Sequence, residues 1–200
     1  MILKLMDITK KYGDKTVLDH INLTLTPGIY ALLGPNGAGK STLMNLITQN
    51  LVPTESSILY DDQDIQKLGK DFRSLLGFMP QQQGLYETFT ANRFLSYIAS
   101  LKGMDKRTAR NEIPRVLSLV NLTEQADQRI STFSGGMKQR LLIAQSIMDN
   151  PKILILDEPT AGLDQKNAFA SGTLSPRLPA IKSSYSQHML FLTSNTLQKK

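Results

Sequence analysis

Apolar residues recur at strand spacing in the first eighty positions and again near residue 155, with helical spacing in between. Ile2, Leu3, Leu5, Met6 and Ile8 within residues 2–9, and Val17, Leu18, Ile21, Leu23 and Leu25 within 17–25, read as two strands. The alternation Ile21-Asn22-Leu23-Thr24-Leu25 marks a strand with one face buried. Lys10-Lys11-Tyr12-Gly13-Asp14 between them reads as a turn carrying an exposed aromatic. Pro27-Gly28 closes the second strand. The unbroken run Ile29-Tyr30-Ala31-Leu32-Leu33 is then expected to form a buried parallel strand. A helix opens at Ser41-Thr42-Leu43, Pro53 breaks the chain, and Ile58-Leu59-Tyr60 and Leu75-Leu76-Gly77-Phe78-Met79 are further strands.

From about Thr88 to Asn150 the spacing turns helical. Phe94, Leu95, Ile98 and Leu101 fall on one face, and Arg107 to Val120 continues the pattern with Pro114 expected to end or kink a helix. A third helix follows Ser134-Gly135-Gly136, with Leu141, Leu142, Ala144, Ile147 and Met148 turned inward. Pro151 stops it. Ile153-Leu154-Ile155-Leu156 is a wholly apolar strand ending in Asp157-Glu158.

One stretch carries chemistry on its own. Gly34-Pro35-Asn36-Gly37-Ala38-Gly39-Lys40-Ser41-Thr42 fits G-x-x-x-x-G-K-[ST] and lies between an apolar run and a helix start, where a phosphate-binding loop belongs. Glycines let backbone N–H groups turn toward phosphate oxygens, and the helix start adds partial positive charge. Lys40 would reach the β- and γ-phosphates, and the Ser41 hydroxyl would hold Mg²⁺. An apolar strand projecting Asp157 and Glu158 at its C-terminal end places two carboxylates where α/β sheets bind ligands. In the same scheme Asp157 would hold the metal through water, and Glu158 would polarise an attacking water. The composition narrows the setting. There is no cysteine, hence no disulfide framework, which suits a reducing compartment. No apolar run approaches transmembrane length and no signal-peptide pattern opens the chain. The net charge of +6 belongs almost wholly to the tail: through Asp164 there are 18 basic residues against 17 acidic ones, and none of the acids lies beyond it. A nucleic-acid groove is therefore not expected.

These motifs, in this order, resemble the nucleotide-binding domain of ATP-binding cassette (ABC) transporters, over residues 1 to about 167. Phe133-Ser134-Gly135-Gly136-Met137 is similar to that family's signature, usually LSGGQ, with Phe and Met as departures. The resemblance implies an α/β fold, with a three-layer P-loop core over residues 1 to about 85 and from 151. It further implies an N-terminal antiparallel β portion and an inserted helical subdomain at about 86–150. It implies ATP and Mg²⁺ as cofactors, bound between two cassettes packed head to tail. Ser134, Gly135 and Gly136 of one copy would face the triphosphate held by the other. Asp164, in Ala161-Gly162-Leu163-Asp164, matches the loop bridging the two sites. Gln81 matches the glutamine that senses Mg²⁺ and a membrane partner, although Gln82 and Gln83 blur the register. Tyr12 is either the aromatic that stacks on adenine or a plain strand-end residue, and His20 near Asp19 is a surface histidine. The implied role is the ATPase subunit of a transporter, cytoplasmic and held at the membrane by a separate permease. The Gln81 to Tyr86 and Met137 to Arg140 segments look most like bacterial exporter cassettes. Two alternatives are a non-hydrolysing ATP-binding remnant and a soluble cassette protein acting on ribosomes or DNA; the latter usually pairs two cassettes in one chain.

The resemblance stops after about residue 167. The family continues with a helix, a buried strand and a histidine loop, whereas residues 168–200 crowd serine, threonine and proline and contain no acid. Codon overlap offers a reason. Shifted by one base, the codons for residues 181–188 permit Lys-Ile-Val-Ile-Leu-Ser-Thr, followed by a triplet permitting His. The expectation is a frameshift near residue 167, leaving the C-terminal part of the core missing or non-native and the 168–200 tail poorly ordered. On this reading His188 has no function of its own.

Overall fold

The computed structural model describes residues 1–81 and 84–157, which fall into two compact units, Met1–Phe78 with Lys152–Asp157, and Met79–Pro151. In the first unit, β1 (Leu3–Tyr12) and β2 (Lys15–Leu25) form an antiparallel hairpin turning at Gly13-Asp14. Tyr12 thus ends the first strand rather than sitting in the turn, because the ladder runs on to the Tyr12–Lys15 pair. β3 (Glu55–Tyr60) pairs with the other edge of β1, and β4 (Gln63–Asp64) extends the order to β2-β1-β3-β4. The register sets Leu5 opposite Leu23 on one side and Ile58 on the other, so one sheet face is apolar and turned inward. Helix α1 (Lys40–Ile47) packs Leu43, Met44, Leu46 and Ile47 into that core. Two short helices, α2 (Ile65–Leu68) and α3 (Lys70–Ser74), lead to β5 (Leu76–Met79), which pairs with β6 (Ile153–Leu156). All four β6 residues are buried, as a strand covered on both faces requires.

Residues 29–33 depart from expectation. They form no strand and pair with none among the described residues. An apolar run becomes a buried strand only where neighbours take up its N–H and C=O groups, and here the described chain supplies none.

The second unit is helical. α4 (Ala91–Leu101) is capped by the Thr90 hydroxyl and buries Ala91, Phe94, Leu95 and Ala99. Leu101 is 66% exposed, contrary to its spacing, because α4 ends there and the chain turns away through Gly103. α5 (Lys106–Leu119) begins at Asp105, whose carboxylate accepts from the Arg107 and Thr108 amides. It runs on through Pro114 instead of ending there. That proline is solvent-exposed, so the Arg110 carbonyl it leaves unpaired faces the wet side of the helix. α6 (Gly135–Ile147) buries Leu141, Leu142, Ala144 and Ile147 as expected, together with Ile143 and Ser146. None of the helices among the described residues is long and apolar enough to cross a membrane.

Candidate functional site

The chain from Gly34 to Thr42 folds into a loop closed on itself. The Ala38 amide donates to the Pro35 carbonyl at 3.2 Å. Gly39 sits in the left-handed region at φ 86° and forms the N-cap of α1. A Cβ on Gly39 would lie 2.7 Å from Leu18 Cδ2 and 2.9 Å from the Val17 carbonyl oxygen, so glycine is required there both by conformation and by space. No side chain caps α1, and its first turn contains no acid, so the leading amides keep their positive ends available to an anion.

Lys40 is held over this loop. Its ammonium donates to the Gly34 carbonyl at 2.7 Å and to the Pro35 carbonyl at 2.9 Å. These neutral acceptors leave its charge uncompensated, and it has no ion-pair partner among the described residues. The ammonium has three donors, so a third remains for a phosphate oxygen. Ser41 is exposed and Thr42 half-buried. The arrangement sets the uncapped amides of α1 beside a cation without an acidic partner among the described residues, which suits a phosphate.

Asp157 follows β6 in the same compact unit. It is only 5% exposed, and its Oδ1 has no hydrogen-bond partner among the described residues. A buried carboxylate without a donor is costly unless a cation meets it. The orphaned oxygen therefore fits a divalent cation, since a carboxylate oxygen is the kind of ligand Mg²⁺ takes. Glu158, Ala161-Gly162-Leu163-Asp164 and His188 lie outside the described residues.

Tyr12 closes β1 and is half-exposed, with the Lys10 ammonium 5.4 Å from its ring centroid. The sequence reading passed over this contact, although residues two apart on a strand share a face. His20 is exposed on β2 as expected, but its main partner is Asp7, 2.9 Å from Nδ1, rather than Asp19. Asp7 holds the His20 pKa above the ordinary histidine value.

The remaining sites lie in the second unit. Gln81 is exposed, two residues past β5. Ser134 is the N-cap of α6 and accepts from the Met137 amide at 3.2 Å. Phe133, at the position where LSGGQ has leucine, is buried and anchors the turn. Lys138, in the first turn of α6, is paired with Glu87 at 2.6 Å, a partner 51 residues away that local pattern does not reveal.

The family model described as ABC transporter matches residues 18–161. The linearmycin resistance ATP-binding protein LnrL of Bacillus subtilis is 40% identical over 168 residues, covering 83% of this chain and 54% of that protein. The Nod factor export ATP-binding protein I of Sinorhizobium fredii is 38% identical over 163 residues, covering 81% of this chain and 48% of that protein. The chain thus spans about half the length of the curated relatives it matches. Among solved structures, a dimeric bacterial ABC transporter cassette superposes with a TM-score of 0.80 at 26% identity, covering 96% of this chain and 88% of that one. The ATP-binding subunit of an ABC transporter gives 0.82 at 25% identity, covering 98% of this chain and 80% of that one.

Proposed function

The chain belongs to the ABC transporter family, and from that premise we propose that it is a transporter's ATP-binding subunit, hydrolysing ATP to drive transport through a separate membrane permease. The observation that carries this is the open N-terminus of α1, uncapped and crowned by the uncompensated Lys40 ammonium. The residues from Gly34 to Thr42 bind the triphosphate through backbone amides, and Tyr12 at the end of β1 offers a ring to the adenine. Asp157, Ser41 and Gln81 are the residues that would hold Mg²⁺. When bound, that ion would neutralise charge on the β- and γ-phosphate oxygens. Glu158 orients the attacking water and accepts its proton.

The helical subdomain, about 86–150, presents Ser134, Gly135 and Gly136 to the nucleotide of a second copy, and Asp164 bridges the two sites. One solved relative is a dimeric cassette, which supports a dimer, and another is an exporter with ATP bound, which supports ATP as the nucleotide. The relatives named for linearmycin resistance and Nod factor export support outward transport, with the subunit on the cytoplasmic side against its permease. The charge through Asp164 nearly balances, which supports a partner other than nucleic acid.

The loss of family pattern after about residue 167 favours a second reading, a remnant that binds ATP without turnover. Steady-state hydrolysis and Mg·ATP binding on the 200-residue chain decide between them. Turnover that Glu158→Gln abolishes while binding persists establishes the ATPase. Binding without turnover in the parent establishes the remnant, and a folded chain with no affinity for Mg·ATP defeats both.

A further inference from the structure

The end of the β1–β2 hairpin is seated on the loop from Gly34 to Thr42. The ladder passes from the Lys10–Leu18 pair to the Lys11–Thr16 pair, so Val17 is an extra residue in β2, opposite no partner in β1. Such a bulge bends its strand and re-aims the groups it carries. Here the Val17 carbonyl and the Leu18 side chain occupy the space that a Cβ on Gly39 would need. Tyr12 belongs to the last pair of the same ladder, so its strand end is fixed relative to that loop.

The two lysines before Tyr12 differ in what they meet. Lys11 is paired with Glu55 at 3.3 Å, which offsets its charge. Lys10 donates instead to the Val52 carbonyl at 2.8 Å, a neutral acceptor, and has no carboxylate partner among the described residues. Its ammonium lies over the Tyr12 ring, 5.4 Å from the centroid, within reach of a cation–π contact. Tethered at its tip, the Lys10 side chain restrains the ring, which stays 48% exposed. We propose that Lys10 is a positioning residue for the nucleotide base: it fixes the Tyr12 ring from one side and leaves the other side to stack on adenine. The role rests on the proposed function, which assigns the adenine to Tyr12. A ring ordered before the base arrives loses less freedom on binding. A cation over one face also draws π density toward itself, which favours an electron-rich purine on the other.

The test uses the 200-residue chain, with Mg·ATP and Mg·tripolyphosphate as ligands in isothermal titration. Tripolyphosphate offers three phosphates and no base. Lys10→Met keeps the apolar stem and removes the charge. It should weaken Mg·ATP binding about two- to fivefold and leave Mg·tripolyphosphate binding unchanged. Lys10→Arg retains a cation that stacks on aromatic faces and should restore the affinity for Mg·ATP. In a Tyr12→Ala background, Lys10→Met should cause no further loss, because the ring it acts through is gone. Equal weakening of both ligands would overturn the proposal, since it marks a general loosening of the loop. Further loss of ATP affinity in the Tyr12→Ala background would also overturn it, in favour of Lys10 acting on the nucleotide directly. If Lys10→Met binds Mg·ATP like the parent while Tyr12→Ala does not, the role of Lys10 is lost and the proposed function stands. If Tyr12→Ala has no effect, Tyr12 is not the base platform and Lys10 falls with it. A parent chain without affinity for Mg·ATP defeats the proposed function itself, and this role with it.

Discussion

Two helices in this chain, α1 and α6, start at glycines and carry a lysine in the first turn, yet their N-termini differ in what is left unpaired. At α1 the N-cap is Gly39 in a left-handed conformation, without a side-chain cap, and Lys40 is bonded only to carbonyl oxygens. At α6 the N-cap is Ser134, whose hydroxyl already accepts from the Met137 amide, and Lys138 is neutralised by Glu87. The first terminus has both open amides and net positive charge. The second has an engaged cap and a cancelled cation. An anion in free solution should therefore settle at α1, whereas α6 becomes useful only toward a phosphate delivered by something else. This asymmetry suits the site proposed above, in which a second copy supplies α6, since an α6 that bound phosphate alone would compete with α1.

The contrast is tested most severely at Gly39. Alanine there must hold φ near 86° and bring a Cβ to 2.9 Å from the Val17 carbonyl oxygen, which is backbone and cannot swing aside. Left-handed strain alone is about 1–2 kcal/mol, and with the clash the loss of stability should reach about 2–4 kcal/mol. Chemical denaturation should show a lower midpoint at unchanged slope, with ATP binding lost as well. A stable, ATP-binding Gly39→Ala variant would mean the loop is not closed as described. Next comes Lys40→Ala. Removing a charge-assisted contact worth about 1.5–3 kcal/mol should weaken Mg·ATP binding roughly 10- to 100-fold. Stability should fall by no more than about 1 kcal/mol, because only bonds to neutral carbonyls are lost. Isothermal titration on the folded variant measures the first effect. Affinity equal to the parent's would break the argument that α1 is the anion-binding end.

The same contrast explains what could be read from sequence. The turn from Gly34 into α1 was legible because it is local: nine consecutive residues supply the glycines, the helix start and the lysine. The β1 and β2 strands were legible from their apolar residues, but their register was not: residues 10–14 read as a turn, whereas the ladder runs on to the Tyr12–Lys15 pair and shifts register three times on the way. Residues 29–33 misled because composition predicts burial but cannot supply neighbours; a strand covered on both sides is a property of several segments at once. Leu101 misled in a smaller way, since helical spacing says which face a residue shares but not where the packed surface ends. The orphaned Asp157 oxygen confirms a burial that the apolar β6 announces, while the Glu87–Lys138 pair was invisible because its members are far apart in sequence.

Smaller effects are expected at α6. Ser134→Ala removes the only side-chain cap of that helix and should cost about 1 kcal/mol of stability. Affinity of the isolated chain for Mg·ATP should stay unchanged, while ATP-dependent dimerisation, read by analytical ultracentrifugation, should be lost. Reduced affinity in the monomer would show that α6 serves its own nucleotide and would remove the division of labour. The smallest effect belongs to Glu87→Gln. The pair is partly exposed, with side-chain exposures of 32% for Lys138 and 60% for Glu87. Its loss should therefore cost less than about 1 kcal/mol, and less still at high salt. Its value lies in direction rather than size. Freeing Lys138 restores a cation to the positive end of α6. Inorganic phosphate should then perturb the Gly135 and Gly136 amide resonances at lower concentration than in the parent, by roughly a factor of two. If phosphate already acts equally on these amides in the parent, the Glu87 carboxylate is not what keeps α6 closed to anions, and the two helix starts differ for the capping reason alone.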